Sequence, residues 1–431
     1  MRFIVIYACF IGLLGCGQEA KSTLESTIPI ADNQKPALID QGHVLADSMN
    51  RVATYTPEMI KRGPLDTTFT LESGGKIPIP STVICSFMEP DPSSPMNGKT
   101  PKFNCKDDRG RVYKVKYGAY NPEVYSEVFV SRLLWILGYY ADRNYPVSVT
   151  CKNCPEDPWH YINKANQLFA KGTSVETIKA KLSLEPHFVS KYFAQATIEV
   201  KTGDKLEVKD TGDSGWGLDE LRPRHLPDDA QCVSGHCERV FREGMLILSS
   251  LIVHADNKPE NQKIFCIEDG VKAKKACPAN HVGLMIQDVG ASFFGYQAPK
   301  GDVFDALSLR TELEVWHDHA VWSLHRPCHI ALPHAVFHQG PAQSLTKAVV
   351  SEPARHFIAN RLKSLSDEQI DALIQVSRMD HRAHPDAATT DGDNAEYARH
   401  FRKILMDRIE TIETTQCSDP IHMDISNYSK W

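Results

Sequence analysis

Two short runs constrain this chain more than any other feature. Residues 102–106 and 111–117 alternate apolar with polar side chains on either side of Asp107-Asp108-Arg109-Gly110. A period of two broken by aspartate and glycine predicts a β-hairpin. Residues 81–88 predict a strand before it. After Asn121-Pro122, residues 123–137 place Val124, Val128, Leu134 and Leu137 at helical spacing and stop at Gly138, as a helix with a glycine end does. Residues 195–200 and 205–208 flank Thr202-Gly203-Asp204 as a second hairpin, and 151–190 read as an insertion with its own short helices. Strands, helix and strands together predict a small α+β lobe.

Beyond a glycine-rich crossing at 211–218 the pattern turns helical, at 238–253, 367–376 and 394–412. A chain of 431 residues has room for two lobes. We place the first at 61–214 and the second, mostly helical, at 215–431.

At the N-terminus, Arg2 precedes an apolar run over residues 3–14 that ends at Gly15-Cys16. The run is too short to span a bilayer as a mature helix and predicts a secretory signal. Leu13-Leu14-Gly15-Cys16 resembles a bacterial lipobox. That resemblance implies a signal peptide over 1–15 and a lipid on Cys16, and Gly17-Gln18 after it suits the outer membrane of a Gram-negative cell envelope. An ordinary signal peptide cut nearby and a short buried strand are the alternatives. Residues 16–60, polar and without period over most of their length, are expected to form a tether. The net charge of −6 predicts neither a nucleic-acid partner nor a polybasic membrane face, leaving the lipid as the membrane contact.

Of twelve cysteines, setting aside Cys9 and Cys16 leaves an even number, as disulfides in an exported protein require. Cys85 with Cys105, on neighbouring strands, and Cys266 with Cys277 are the expected pairs. For Cys151, Cys154, Cys232 and Cys237 a four-thiolate zinc site is the alternative to disulfides.

Chemistry concentrates in His254-Ala255-Asp256-Asn257-Lys258-Pro259-Glu260-Asn261, followed by two expected strands at 264–267 and 283–287 and then by Asp288-Val289-Gly290. The first run resembles the protein-kinase catalytic loop His-Arg-Asp-Leu-Lys-Pro-Glu-Asn, with Ala255 and Asn257 as departures, and the triplet resembles the Asp-Phe-Gly metal turn. The resemblance implies that Asp256 faces the acceptor hydroxyl, Lys258 places charge on the transferring phosphoryl group, and Asn261 and Asp288 hold Mg2+ against the phosphates of ATP. Ala255 stands where kinases carry the arginine that pairs with a phosphorylated activation loop, so such control is not expected.

Such a fold also needs a strand lysine and a helix glutamate. Lys114 and Lys116 share one strand face, and Glu127 lies one turn beyond Glu123. The run from Ser126-Glu127 to Leu137-Gly138 resembles the corresponding helix of the HipA group of atypical serine/threonine kinases. Lys116 and Glu127 are the expected pair, with Lys114 and Glu123 as substitutes. Asn97-Gly98-Lys99-Thr100-Pro101-Lys102 stands where that group carries a short phosphate loop, Gly98 permitting close backbone approach and Lys99 adding charge.

The resemblance implies an α+β, bilobal protein-kinase-like fold: a small mixed sheet with one helix, then a mostly helical lobe. It implies ATP-dependent transfer of a phosphoryl group to a hydroxyl of an unknown protein or small-molecule acceptor. Because an exported lipoprotein meets little ATP, the alternative is a pseudokinase-like envelope module that binds without catalysis. A third reading makes Asp256 and Asp288 structural. Taken singly, Lys114 and Lys116 are ordinary strand lysines and Asp256 with Asn261 an ordinary turn; their order along the chain is what carries the reading. Between His317 and His338, imidazoles two apart can share a metal, but no carboxylate or cysteine set completes the site, so core or surface roles are expected.

Overall fold

The Asp107 carboxylate closes the hairpin that the alternation predicts. It accepts the backbone N–H groups of Arg109 (3.0 Å) and Arg111 (2.8 Å) and the Arg111 Nε (2.5 Å). Gly110 takes φ 84°, where a side chain would be strained. This computed structural model describes residues 34–64, 68–70, 76–78, 81–91, 95–96, 98, 100–119, 121–182, 189–200, 215–221, 238–267, 277, 281–293, 313–323, 326–332, 348–381 and 391–417. The signal, Cys16, Lys99, Cys232, Cys237 and the Thr202-Gly203-Asp204 turn lie outside the described residues.

In chain order the elements are α1 (Lys35–Gln41), α2 (Pro57–Arg62), a short pair β1 (Thr68–Thr70) and β2 (Lys76–Pro78), β3 (Thr82–Phe87), β4 (Lys102–Lys106), β5 (Val112–Tyr117), α3 (Glu123–Ile136), β6 (Arg143–Cys154), α4 (Pro158–Ala170), α5 (Val175–Leu182) and β7 (Val189–Val200). Then follow α6 (Glu238–Leu251), β8 (Gln262–Cys266), β9 (Val282–Ile286), α7 (Glu352–Lys363), α8 (Asp367–Val376) and α9 (Asp391–Thr414).

Five strands close into a barrel in the order β3-β4-β5-β7-β6, antiparallel except where β3 runs parallel to β6. Alternation puts Phe103, Cys105, Tyr113, Val115, Val147, Val149 and Ile198 inside it as one core. A second core gathers α1 to α3, α6 to α9 and the β8–β9 hairpin. Between the two lies α3, in which only Glu123 and Trp135 escape burial. It is covered on nearly every side, its polar Ser126, Glu127, Ser131 and Arg132 included. Gly138, at φ 85°, ends it as expected. The architecture is therefore mixed α+β with two large hydrophobic cores and, among the described residues, a small third cluster of Tyr161, Ala165 and Ile178 between α4 and α5.

The expected tether is corrected in part. Residues 34–62 are built into the second core through Leu38, Ile39, Val44, Leu45, Val52 and Ile60. They lack a readable period because side chains from elsewhere hold their carbonyl groups. Arg242 donates to Ile39 (2.6 Å), Asp40 (3.1 Å) and Gly42 (2.6 Å); Arg361 donates to Asp47 (3.0 Å), Ser48 (2.9 Å) and Met49 (3.0 Å). Gln369 donates to Val52 and Tyr55. The insertion is also shorter than 151–190: Cys151 pairs with Lys191 and Cys154 with Val189 across β6 and β7, leaving α4 and α5 between those strands.

Four disulfides lie among the described residues: Cys85–Cys105, Cys151–Cys154, Cys266–Cys277 and Cys328–Cys417. The first and third are the expected pairs. Disulfide bonding of Cys151 to Cys154 removes both from a four-thiolate zinc site. Four disulfides fit an oxidising environment, and no helix among the described residues is long and apolar enough to cross a membrane.

Candidate functional site

Strand β5 delivers Lys114 and Lys116 to one face, and cross-strand pairing sets Lys102 on β4 opposite Lys116. Helix α3 carries Glu123 and Glu127 one turn apart against that face. The β8–β9 hairpin ends in Asp288. These elements meet at the Lys116 Nζ, which bonds Glu127 and lies 2.7 Å from Glu123 Oε2 and 2.6 Å from Asp288 Oδ1.

Gly290 allows this convergence. A Cβ there would stand 2.7 Å from the Glu123 Cγ and 3.0 Å from the Glu127 Cγ. A side chain would push the turn off α3, so glycine in the Asp-x-Gly triplet answers to packing. Ser126 donates to the Gly290 carbonyl, and Val289 is buried in the second core.

Lys116 is 2% exposed. Burial alone would discharge it, but the carboxylates of Asp288, Glu123 and Glu127 outweigh that and hold the amine well above its ordinary range. Burial likewise works against an ionised Asp288; the Lys116, Lys114 and Lys102 charges prevail and hold its carboxyl well below the usual carboxylate range. Glu127 goes the other way, pushed up to about 8 by burial with Lys116 opposing. One ammonium serves three carboxylates, and of Glu127 and Asp288 it is Glu127 that keeps its proton more readily.

Both substitute residues belong to the same cluster. Lys114 is held at 2.8 Å by Glu199 on β7, while Glu123 shares Lys116 with Glu127. The carboxylate oxygens of Glu123, Glu127 and Asp288 lie within 4.8 Å of one another. An all-oxygen set of this kind matches the hard divalent cations.

The expected catalytic loop lies beside this cluster. Asp256 receives the Lys258 Nζ at 3.1 Å on Oδ2 and the Asn261 Nδ2 at 2.9 Å on its backbone carbonyl. Two main-chain bonds tie the loop to the Asp288 turn: Ala255 N–H to the Ala291 carbonyl (2.9 Å) and Gln287 N–H to the Asn261 carbonyl (2.9 Å). His254 is buried beneath, and burial pushes its imidazole down to about 4, so the ring is neutral.

Gly98 adopts φ 112°, and a Cβ on it would meet the Lys102 Nζ at 2.6 Å. Lys102 is 7% exposed, and its amine is held below the ordinary lysine range by burial and then by Lys116. The Lys102 amine also stands 5.6 Å from the Trp159 ring. Of the histidines, His317 bonds its neighbour Asp318 at the surface, and the His319 Nε2 donates to the Ala331 carbonyl (2.9 Å).

Sequence reasoning did not single out Glu199, nor Asp142, which lies behind Asp288 and is pushed up to about 7 by burial and then by Glu199. Glu199 was findable, since β7 pairs with the lysine strand. Asp142 sits in a short link with no motif around it.

No protein-family model matches the chain, and no curated protein does. Among solved structures it is similar to the Helicobacter pylori proinflammatory kinase CtkA, at 10% identity and a TM-score of 0.36, over 77% of this chain and 97% of that one.

Proposed function

We propose that this protein is a magnesium- and nucleotide-dependent phosphotransferase with a bilobal, protein-kinase-like body of the HipA type, exported and held at the membrane by a lipid on Cys16 only. The supporting observation is the meeting of Lys116, Glu127 and Asp288 at one point, with the Asp256–Asn261 loop hydrogen-bonded to the Asp288 turn.

In this reading ATP lies between Gly98 and the β5 face. Lys116, Lys102 and Lys99 supply positive charge to its phosphates, with Glu127 keeping Lys116 aimed. Asp288 and Asn261 hold Mg2+, a role that the oxygen donors beside Lys116 fit. Bound magnesium supplies charge neutralisation at the phosphates. Asp256 accepts the proton of the acceptor hydroxyl as its oxygen bonds to the γ-phosphorus and the bond from that phosphorus to the bridging oxygen breaks, ADP leaving. Lys258, already on Asp256, places its charge beside the moving phosphoryl group.

The disulfides fit an oxidising environment, and an exported protein meets little ATP, which favours a second reading: a pseudokinase-like module that binds nucleotide or a partner without transfer. Thermal shift of the folded body with ATP, GTP or ADP, with and without Mg2+, followed by labelled-phosphate transfer, separates the two. Magnesium-dependent stabilisation with transfer supports the enzyme, stabilisation without transfer supports the module, and no stabilisation rejects both nucleotide readings.

A further inference from the structure

One buried carboxylate beside the site has no part in the chemistry above. Asp142 follows α3, in the link directly before β6. Its backbone N–H donates to the Ile286 carbonyl (3.1 Å), and Ala141 forms a parallel bridge with Ile286, so this link lies alongside the end of β9. From there the Asp142 side chain reaches the residues just beyond the strand. Its Oδ2 accepts the backbone N–H of Asp288 (2.9 Å) and its Oδ1 accepts the Gln287 Nε2 (2.8 Å).

Gln287 is thereby held twice, because its own N–H donates to the Asn261 carbonyl. The two residues assigned to magnesium are thus joined through Gln287, and Asp142 grips that junction from behind. Asp288 meanwhile takes φ 51°, a left-handed conformation uncommon for any residue but glycine. A buried carboxyl oxygen on its N–H, at 2.9 Å, holds the residue in such a conformation. Asp142 approaches the main chain of Asp288, whereas Lys116 approaches its carboxylate.

We propose that Asp142 is a positioning residue for the metal: by fixing the backbone of Gln287 and Asp288 it sets the direction of the Asp288 carboxylate, while touching neither nucleotide nor acceptor. The proposal rests on reading Asp288 as a magnesium ligand. Groups behind a metal ligand typically change metal affinity by about tenfold or more when removed. A carboxylate that only satisfied two buried donors would affect folding and leave the metal requirement alone.

The test uses the full chain, ATP and magnesium. In Asp142→Asn, the magnesium concentration giving half-maximal ATP binding should rise about tenfold, while ATP binding in EDTA should change by less than about twofold. Hydrogen exchange at the amides of residues 287 and 288, measured without nucleotide, should speed up in the same variant. Gln287→Met, which removes one donor from Asp142 and leaves the carboxylate in place, should shift the magnesium requirement in the same direction by less, and it serves if Asp142→Asn does not fold. An unchanged magnesium requirement overturns the proposal, even with faster exchange, because Asp142 would then be a structural clasp only. If ATP binding by the wild type needs no magnesium, the metal reading of Asp288 falls first and the proposal falls with it, and that result is visible before any variant is made.

Discussion

The Lys116 Nζ and the Asp288 Oδ1 lie 2.6 Å apart although 172 residues separate them in the chain. One comes from the barrel and the other from a hairpin in the helical core, so their contact locks the two cores together at the candidate site. Buried ion pairs of this kind contribute little net stability against an apolar alternative, and breaking one leaves a stranded charge.

Export is tested at Cys16. Labelled palmitate should enter the wild-type protein in a bacterial host and fail to enter Cys16→Ser. Label persisting in the variant would remove the lipid anchor from the account.

Arg361 should be among the costliest side chains to lose. It holds the buried carbonyl of Leu137 and the part-buried carbonyls of Asp47, Ser48 and Met49, and its departure takes one donor away from all four. Arg361→Met should lower the unfolding free energy by about 3 kcal/mol or more, read by denaturant titration. A loss under about 1 kcal/mol would show that residues 47–49 find other partners.

This example also marks where the sequence was legible. The β4–β5 hairpin and α3 were readable because their own side chains encode them: Asp107 and Gly110 in the turn, alternating apolar residues on either side, apolar positions at helical spacing ending at Gly138. The α8 helix was readable too, at the bounds found. Residues 34–62 were not, because the groups that hold them, Arg242, Arg361 and Gln369, lie hundreds of positions away. In the site, Lys116, Glu127 and Asp288 were legible from motif order. Asp142 was not, since its only signal is a pair of hydrogen bonds formed on folding.

The disulfides should rank by the length of chain they close. In the chain-entropy model, Cys266–Cys277, 11 residues apart, is worth about 3 kcal/mol, and Cys328–Cys417, 89 apart, about 4.5 kcal/mol. Serine pairs at each site, compared by thermal unfolding under oxidising conditions, should show the second loss to be larger. Non-reduced peptide mapping that pairs any of the four differently would refute the assignment.

His254 should give stability a definite pH slope. Its folded value of about 4 lies below the ordinary 6.5, so between these the unfolded chain binds more protons. Its contribution is complete above about pH 6.5 and is lost as pH falls towards 4, up to about 3 kcal/mol. Glu127 and Asp142, both raised, slope the opposite way, losing stability as pH rises towards about 8 and about 7. The difference between wild type and His254→Gln isolates the histidine: it should shrink as pH drops from 7 to about 4.5. A difference independent of pH would mean that the ring is charged or hydrated in the folded protein.

The central claim, a magnesium-nucleotide site in which two acids have different tasks, is tested most directly by calorimetric titration of magnesium-ATP into wild type, Asp288→Asn, Lys116→Met and Asp256→Asn, with phosphoryl transfer measured alongside. The account predicts weakened binding in Asp288→Asn and Lys116→Met. It predicts near-normal binding in Asp256→Asn with transfer down by about a hundredfold or more, the usual size of a lost general base. Equal binding in all four proteins, or none by the wild type, would contradict it.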